Sequence, residues 1–116
     1  VDIKKETVMG GMSCGDVSSI AWDILKNSAN YCVTISDEAI SSAVALLAEG
    51  RLSNKKIIAG ECAVPGVIAL IGAFNNKDYL NKFRLNSDSK VLLFGCEGLT
   101  DKEMYEKLLD DGLKKI

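Results

Sequence analysis

The sequence predicts an α/β fold of three layers, in which crossover helices cover a mainly parallel sheet. Short apolar runs rich in β-forming residues alternate along the chain with segments of helical periodicity. Such buried parallel strands need cover on both faces of the sheet, and 116 residues are few for that. We therefore expect residues 1–116 to form a single α/β domain or a fragment of a larger fold, and the initial valine indicates that sequence precedes it.

Four runs predict the strands of this sheet. The clearest lies before a turn with two glycines, and its residues are typical of a buried strand. A second has a good strand composition, and the other two are shorter and weaker. In chain order, the predicted strands are Thr7–Met9, Tyr31–Ile35, Lys56–Ala59 and Val91–Phe94.

Five segments predict helices, and cap residues support several of them. Asp16 or Ser18 can cap the first helix and Ser36 the second, which Gly50 would end. Thr100 and Glu103 have the spacing of a capping box. The predicted helices run from Ser18 to Leu25, from Ser36 to Gly50, from Pro65 to Phe74, from Lys77 to Phe83, and from Thr100 to about Leu113.

Periodicity predicts which side chains of these helices are buried. The third helix is apolar on every face, which is typical of a central buried helix, and Pro65 suits its first turn. The predicted inward positions are Ile20, Ala21, Ile24 and Leu25 in the first helix, Ile40, Val44 and Leu47 in the second, Leu80 and Phe83 in the fourth, and Met104, Leu108 and Leu109 in the last.

Composition excludes several classes of function. The net charge is −2 and the basic residues are scattered, which argues against nucleic-acid binding. No segment is long and apolar enough to span a membrane, and the first residues do not resemble a signal peptide. The absence of histidine excludes Ser-His and Cys-His catalysis within this chain.

The four cysteines, Cys14, Cys32, Cys62 and Cys96, lack metal-site spacing, so we expect no metal. Without a secretory signal they are typical of free thiols in a reducing compartment, and we expect a cytoplasmic protein. Burial as a small apolar residue is the simplest role for each, most of all for Cys32.

Three motifs are candidates for a binding site. Gly10 and Gly11 belong to a turn where backbone can pass close to a ligand. Glu61 stands before the apolar third helix, where a carboxylate needs a partner or a surface position. Cys96 follows Gly95 at the carboxyl end of a predicted strand, the edge where open α/β sheets bind ligands. A structural cap for Glu61 and an ordinary turn at Cys96 remain alternatives.

These motifs, in order and with matching gaps, resemble the C-terminal part of the diaminopropionate ammonia-lyase family. That family belongs to the fold-type-II pyridoxal-phosphate enzymes, with the serine and threonine dehydratases and tryptophan synthase β. The stretches that carry the resemblance are residues 9–15 (MGGMSCG), 18–25 (SSIAWDIL), 60–62 (GEC) and 95–101 (GCEGLTD).

The resemblance implies a site for pyridoxal 5'-phosphate in the intact enzyme. Cys96 falls where the family keeps a Ser, Thr or Cys beside the pyridine nitrogen, and a neutral thiol there would restrain the ring as an electron sink. Glu61 would order the site by hydrogen bonding. Gly11 would lie against the cofactor, with Gly10 and Gly95 beside these residues as further cofactor contacts.

The resemblance also implies that this chain is inert alone. No segment matches the family's Schiff-base lysine or its glycine-rich phosphate loop, so we expect no catalytic residue here. The intact enzyme, by family habit a homodimer, would act on a small amino acid and eliminate ammonia from 2,3-diaminopropionate to give pyruvate and ammonia. A serine or threonine dehydratase and a non-catalytic, free-standing α/β binding module remain alternatives.

Overall fold

The computed structural model describes residues 2–116, so Val1 of the predicted 1–116 unit lies outside it. The helices of the described chain lie close to the five predicted ones. They are Ser19–Ser28 (α1), Ile40–Ala48 (α2), Pro65–Phe74 (α3), Lys77–Phe83 (α4) and Lys102–Leu113 (α5), with short 3-10 turns at Gly10–Met12, Asp37–Ala39 and Glu61–Ala63.

The predicted α/β fold class is wrong for residues 2–116, which contain helices, turns and irregular segments but no β-strand. A strand needs a neighbouring strand to bind its backbone N–H and C=O groups. Within the described chain, no backbone hydrogen bond joins any two of the four predicted strands. Composition favours a strand locally, but a sheet forms only where partner strands are present.

The core is built around the pairing of α2 with α5. Ile40 and Val44 of α2 are fully buried, and Tyr105 and Leu108 of α5 pack into the same cluster. The two helices approach closely at Gly112, where an added Cβ would lie 2.6 Å from the Ser41 carbonyl carbon and closer still to its oxygen. Only a residue without a side chain permits this backbone contact.

Further residues of the two helices and of the segments around them join this cluster. Ala43 and Leu47 of α2 are buried, and Met104 and Leu109 of α5 are partly buried; the other segments contribute Met9, Ala59, Cys62, Ala63 and Val64. The predicted burial of the α2 stripe is therefore confirmed, and that of α5 is confirmed fully for Leu108 and in part for the other two positions.

The ends of α2 follow the sequence signals. The Ser36 hydroxyl accepts a hydrogen bond from the Glu38 amide in the 3-10 turn that leads into the helix, and Gly50 follows its end with φ of +69°. Asp37 also ties down the N-terminal segment, because its carboxylate accepts from the Thr7 hydroxyl at 2.5 Å and the Val8 amide at 3.0 Å. These bonds fix the chain just before Gly10.

The start of α5 differs from the prediction. Asp101 is the N-cap, and its carboxylate accepts a hydrogen bond from the Met104 amide at 2.9 Å. The capping box of Thr100 with Glu103 is therefore wrong. The Thr100 hydroxyl instead donates to the Glu97 carboxylate at 3.0 Å, since the N-cap lies one residue later than expected.

Several predicted inward positions are exposed. Ile20 of α1 is 78% exposed, while Leu92 and Phe94 are 76% and 82% exposed. Ile24, Leu25 and Trp22 are exposed as well, so the predicted burial of the α1 stripe is wrong apart from half-buried Ala21. We call α1 and residues 91–94 the exposed apolar segments.

Helix α3 is likewise only partly covered. Of its residues, Ala73 alone is buried, so the prediction of a central buried helix is wrong for the described chain. Apolar cavities of about 740 Å³ and 390 Å³ flank it, the first toward Leu93 and the second toward residues 31–35. The helix has the composition of a core element and lacks neighbours to complete that core.

Candidate functional site

The residues predicted to bind a cofactor converge on the 3-10 turn Glu61–Ala63. Two other segments reach this turn, one through Gly11 and the other through Gly95 and Cys96. These three stretches are far apart in sequence; Cys62 and Cys96, for example, are separated by 34 positions. The structure therefore brings together segments whose proximity could be predicted only from the resemblance to a known family.

Gly11 approaches the turn at Cys62. A Cβ added to Gly11 would lie 3.3 Å from the Cys62 sulfur. Gly10 has open space on its side-chain side, with no described atom within 4 Å of a built Cβ. The two glycines therefore present exposed backbone directly beside the turn.

Cys96 and Gly95 approach the turn from the other side. The Cys96 thiol is exposed and lies 3.9 Å from the Cys62 carbonyl oxygen, to which it donates weakly. A Cβ added to Gly95 would lie 3.4 Å from the Ala63 Cβ. All four cysteines are free thiols, as predicted. Only Cys62 is buried, so the predicted burial of Cys32 is wrong.

Glu97 is the residue that holds this arrangement together, and sequence reasoning missed it. Its carboxylate accepts a hydrogen bond from the Cys62 amide at 2.8 Å and one from the Thr100 hydroxyl at 3.0 Å. Its own carbonyl oxygen accepts from the Gly60 amide at 3.3 Å. Glu97 lies between Gly95 and Gly98 in the turn of the Cys96 motif. A charged residue in so glycine-rich a turn was the one sequence feature that could have identified it.

Gly60 allows Glu97 to approach so closely. A Cβ added to Gly60 would lie 2.6 Å from the Gly98 carbonyl oxygen and 2.7 Å from the Glu97 carboxylate. Contacts this short force backbone to move, so an alanine at position 60 would separate the two segments. Gly98 itself has no described atom within 4 Å of a built Cβ.

Hydrogen bonds and burial shift the pKa values of two groups in opposite directions. The Cys62 amide, followed by the Thr100 hydroxyl and the Cys62 thiol, lowers the pKa of Glu97 against a smaller effect of burial. Burial raises the pKa of the Cys62 thiol, and the negative charge of Glu97 raises it further. At neutral pH the pair is a carboxylate beside a neutral thiol.

Glu61 is half-buried at the start of the turn. Its carboxylate, the Cys62 sulfur and the Glu97 carboxylate lie within 4.8 Å of one another, the kind of group that could hold a metal ion. Metal binding requires the thiolate form of cysteine, whereas the raised pKa of Cys62 favours the thiol. Ordering of the site by Glu61 stays a prediction.

Within residues 2–116, no helix reaches the length and hydrophobicity that crossing a bilayer requires.

Comparisons with known proteins point to one kind of enzyme. No protein-family profile matches the chain, and no solved structure matches it. The chain is similar to proteins named diaminopropionate ammonia-lyase from Escherichia coli K12, over 109 residues at 28% identity, and from Salmonella typhimurium, over 110 residues at 28% identity. Each similarity covers 91% of this chain and 27% of the relative. The chain thus spans about a quarter of the length of these curated lyases, and the similarity supports homology to a part of them.

Proposed function

We propose that this chain is the C-terminal part of a pyridoxal-phosphate-dependent lyase that eliminates ammonia from 2,3-diaminopropionate. The observation that carries the proposal is the convergence of the predicted cofactor residues on one turn, in a chain similar to ammonia-lyases along 91% of its length. The reaction would yield pyruvate and ammonia.

The residues at the turn fit the cofactor. Gly10 and Gly11 present exposed backbone without side chains, which suits the close approach of a flat ring. Cys96 offers an exposed thiol that can lie beside a pyridine nitrogen as a neutral partner. When bound, pyridoxal 5'-phosphate would supply the electron sink for elimination.

The residues of this chain would orient the cofactor and would not take part in bond making or breaking. The Glu97 carboxylate fixes the Cys62 amide, and the Cys62 carbonyl in turn receives the Cys96 thiol. Glu61 would add a hydrogen-bonding carboxylate at the same turn. We expect the Schiff-base lysine and the phosphate-binding loop in the remaining part of the enzyme.

The unpartnered apolar surface supports the proposal that the active protein is longer. The exposed apolar segments and the cavities beside α3 leave many large apolar side chains in contact with solvent, and contiguous apolar surface of this kind marks a site of interaction. In a protein roughly three and a half times this length, as the 27% coverage of the relatives implies, other segments would cover them. The homodimer and the cytoplasmic location stay predictions.

Pyruvate formation from 2,3-diaminopropionate by the native protein tests the proposal. We expect turnover that requires pyridoxal 5'-phosphate, with much slower release of 2-oxo acid from L-serine and L-threonine. The 116-residue chain alone should release none. Faster turnover of serine or threonine would favour a dehydratase, and no turnover of any of the three, with no binding of the cofactor, would overturn the proposal.

A further inference from the structure

We infer that Glu97 is the positioning residue of the candidate site, and that it acts through Cys62. Cys62 contacts three other parts of the site. Its amide donates to Glu97, its carbonyl receives the Cys96 thiol, and its sulfur lies against Gly11. The functional half of this inference rests on the proposed function, whereas the structural half does not.

Of these three contacts, the one with Glu97 is the strongest. The Glu97 bond is short, at 2.8 Å, and its acceptor is charged, whereas the Cys96 contact is a weak thiol bond at 3.9 Å. A hydrogen bond to a charged group contributes about twice as much as a neutral one. The position of Cys62, and with it the contacts to Cys96 and Gly11, should therefore depend most on Glu97.

Glu97 is itself held in place from two further sides. The Thr100 hydroxyl binds the second carboxylate oxygen, and the Gly60 amide binds the backbone carbonyl. Both carboxylate oxygens are thus occupied by donors of this chain. The carboxylate is oriented toward the turn and is not available as a base, so its effect on a reaction would be indirect.

The structural half is tested by amide hydrogen exchange at Cys62 in the 116-residue chain. Glu97→Ala should accelerate exchange about tenfold or more, since hydrogen bonds to charged groups contribute that much. Glu97→Gln should restore most of the protection, because an amide oxygen can accept from Cys62 while its nitrogen donates to Thr100. Glu106→Ala, which removes a carboxylate exposed on α5, is the matched control and should leave Cys62 unchanged.

Two milder variants keep the test decisive if Glu97→Ala does not fold. Thr100→Val removes only the hydrogen bond to the second oxygen of the half-buried Glu97 carboxylate, and we expect an intermediate acceleration. Gly60→Ala breaks the same contact from the opposite side, with Gly98→Ala as its control. Unchanged exchange at Cys62 in Thr100→Val and Gly60→Ala, or in a folded Glu97→Ala, overturns the inference.

The functional half is tested in the native protein with pyridoxal 5'-phosphate as the probe. Glu97→Ala should shift the absorption maximum of the bound cofactor and weaken its binding, and Glu97→Gln should restore both. A cofactor spectrum identical to that of the wild type, despite faster exchange at Cys62, overturns the positioning role. If the wild-type protein binds no cofactor, the proposed function fails while the exchange result still decides the contact between Glu97 and Cys62.

Discussion

The apolar side chains of the α2–α5 pair and those of the exposed apolar segments have opposite surroundings. Ile40 and Val44 are fully buried between helices that the chain itself supplies. Leu92 and Phe94 are more than three-quarters exposed, although their sequence is as apolar. The comparison shows that apolar composition indicates which residues favour burial. Whether a residue is actually buried depends on whether another segment packs against it.

The largest effect should come from the close contact inside the α2–α5 pair. Gly112→Ala would place a methyl group against the Ser41 backbone and 2.8 Å from the Ala45 Cβ. Since backbone cannot move away cheaply, we expect a loss of about 3 kcal/mol in the free energy of unfolding, measured by urea denaturation. Gly72→Ala, on an open position of α3, should instead stabilise by about 0.5–1 kcal/mol. Equal effects of the two would contradict the tight helix crossing.

A smaller loss should follow from a single methylene removed from the same core. Ile40→Val should lower the free energy of unfolding by about 1 kcal/mol, because the fully buried side chain leaves a small cavity. Thermal or urea denaturation measures it. A loss below about 0.3 kcal/mol, the range of surface substitutions, would show that Ile40 is not packed as described.

Acid should weaken the contacts that join the site to the core. The pKa values of Glu97 and Asp37 both lie below their ordinary values of 4.5 and 3.8, each mainly through hydrogen bonds that the carboxylate accepts. A group with a depressed folded-state pKa stabilises the fold above its unfolded pKa, and the contribution is lost as the pH falls through the folded value. The urea midpoint should thus fall between about pH 5 and about pH 3.

The variant pair Glu97→Gln and Asp37→Asn provides the control for this pH dependence. Neither replacement can titrate, so a chain carrying both should show a shallower fall in the urea midpoint over the same range. A fall as steep as that of the wild type would assign the acid sensitivity to other carboxylates.

The smallest effect on stability should come from the exposed apolar segments. Leu92→Ser should change the free energy of unfolding of the 116-residue chain by less than about 0.5 kcal/mol, as for surface substitutions generally. Because it removes exposed apolar surface, it should also reduce self-association in sedimentation experiments. A loss comparable to that of Ile40→Val would mean that Leu92 is already buried in the isolated chain.

Local signals predicted local structure well. Ser36 caps the 3-10 turn that leads into the second helix, and Gly50 follows the end of that helix. Pro65 starts the third helix. The helical spacing of Ile40, Val44 and Leu47 correctly predicted the buried face of the second. These features depend on residues within a few positions of one another. The cap of α5 was placed at Thr100 because two overlapping signals compete there, and Asp101 forms the bond instead.

Features that depend on distant residues were predicted poorly. The predicted sheet does not form because strand pairing needs partner strands that residues 2–116 do not provide. The predicted burial of the apolar stripe on α1 is wrong because no described segment covers that face. The role of Glu97 was missed because it depends on a hydrogen bond to Cys62, 35 residues away in the sequence. The resemblance identified Gly11, Glu61 and Cys96 as neighbours, which no local pattern could have done.

The most direct test of the difference between the two regions is amide hydrogen exchange in the isolated 116-residue chain and in the longer protein proposed above. We expect α2 and α5 to be protected in both. Residues 31–35 and 91–94 should exchange freely in the isolated chain and become protected in the longer protein, where other segments would cover them. Equal exchange of these residues in the two samples would contradict the account, since the chain would then need no partner to complete its fold.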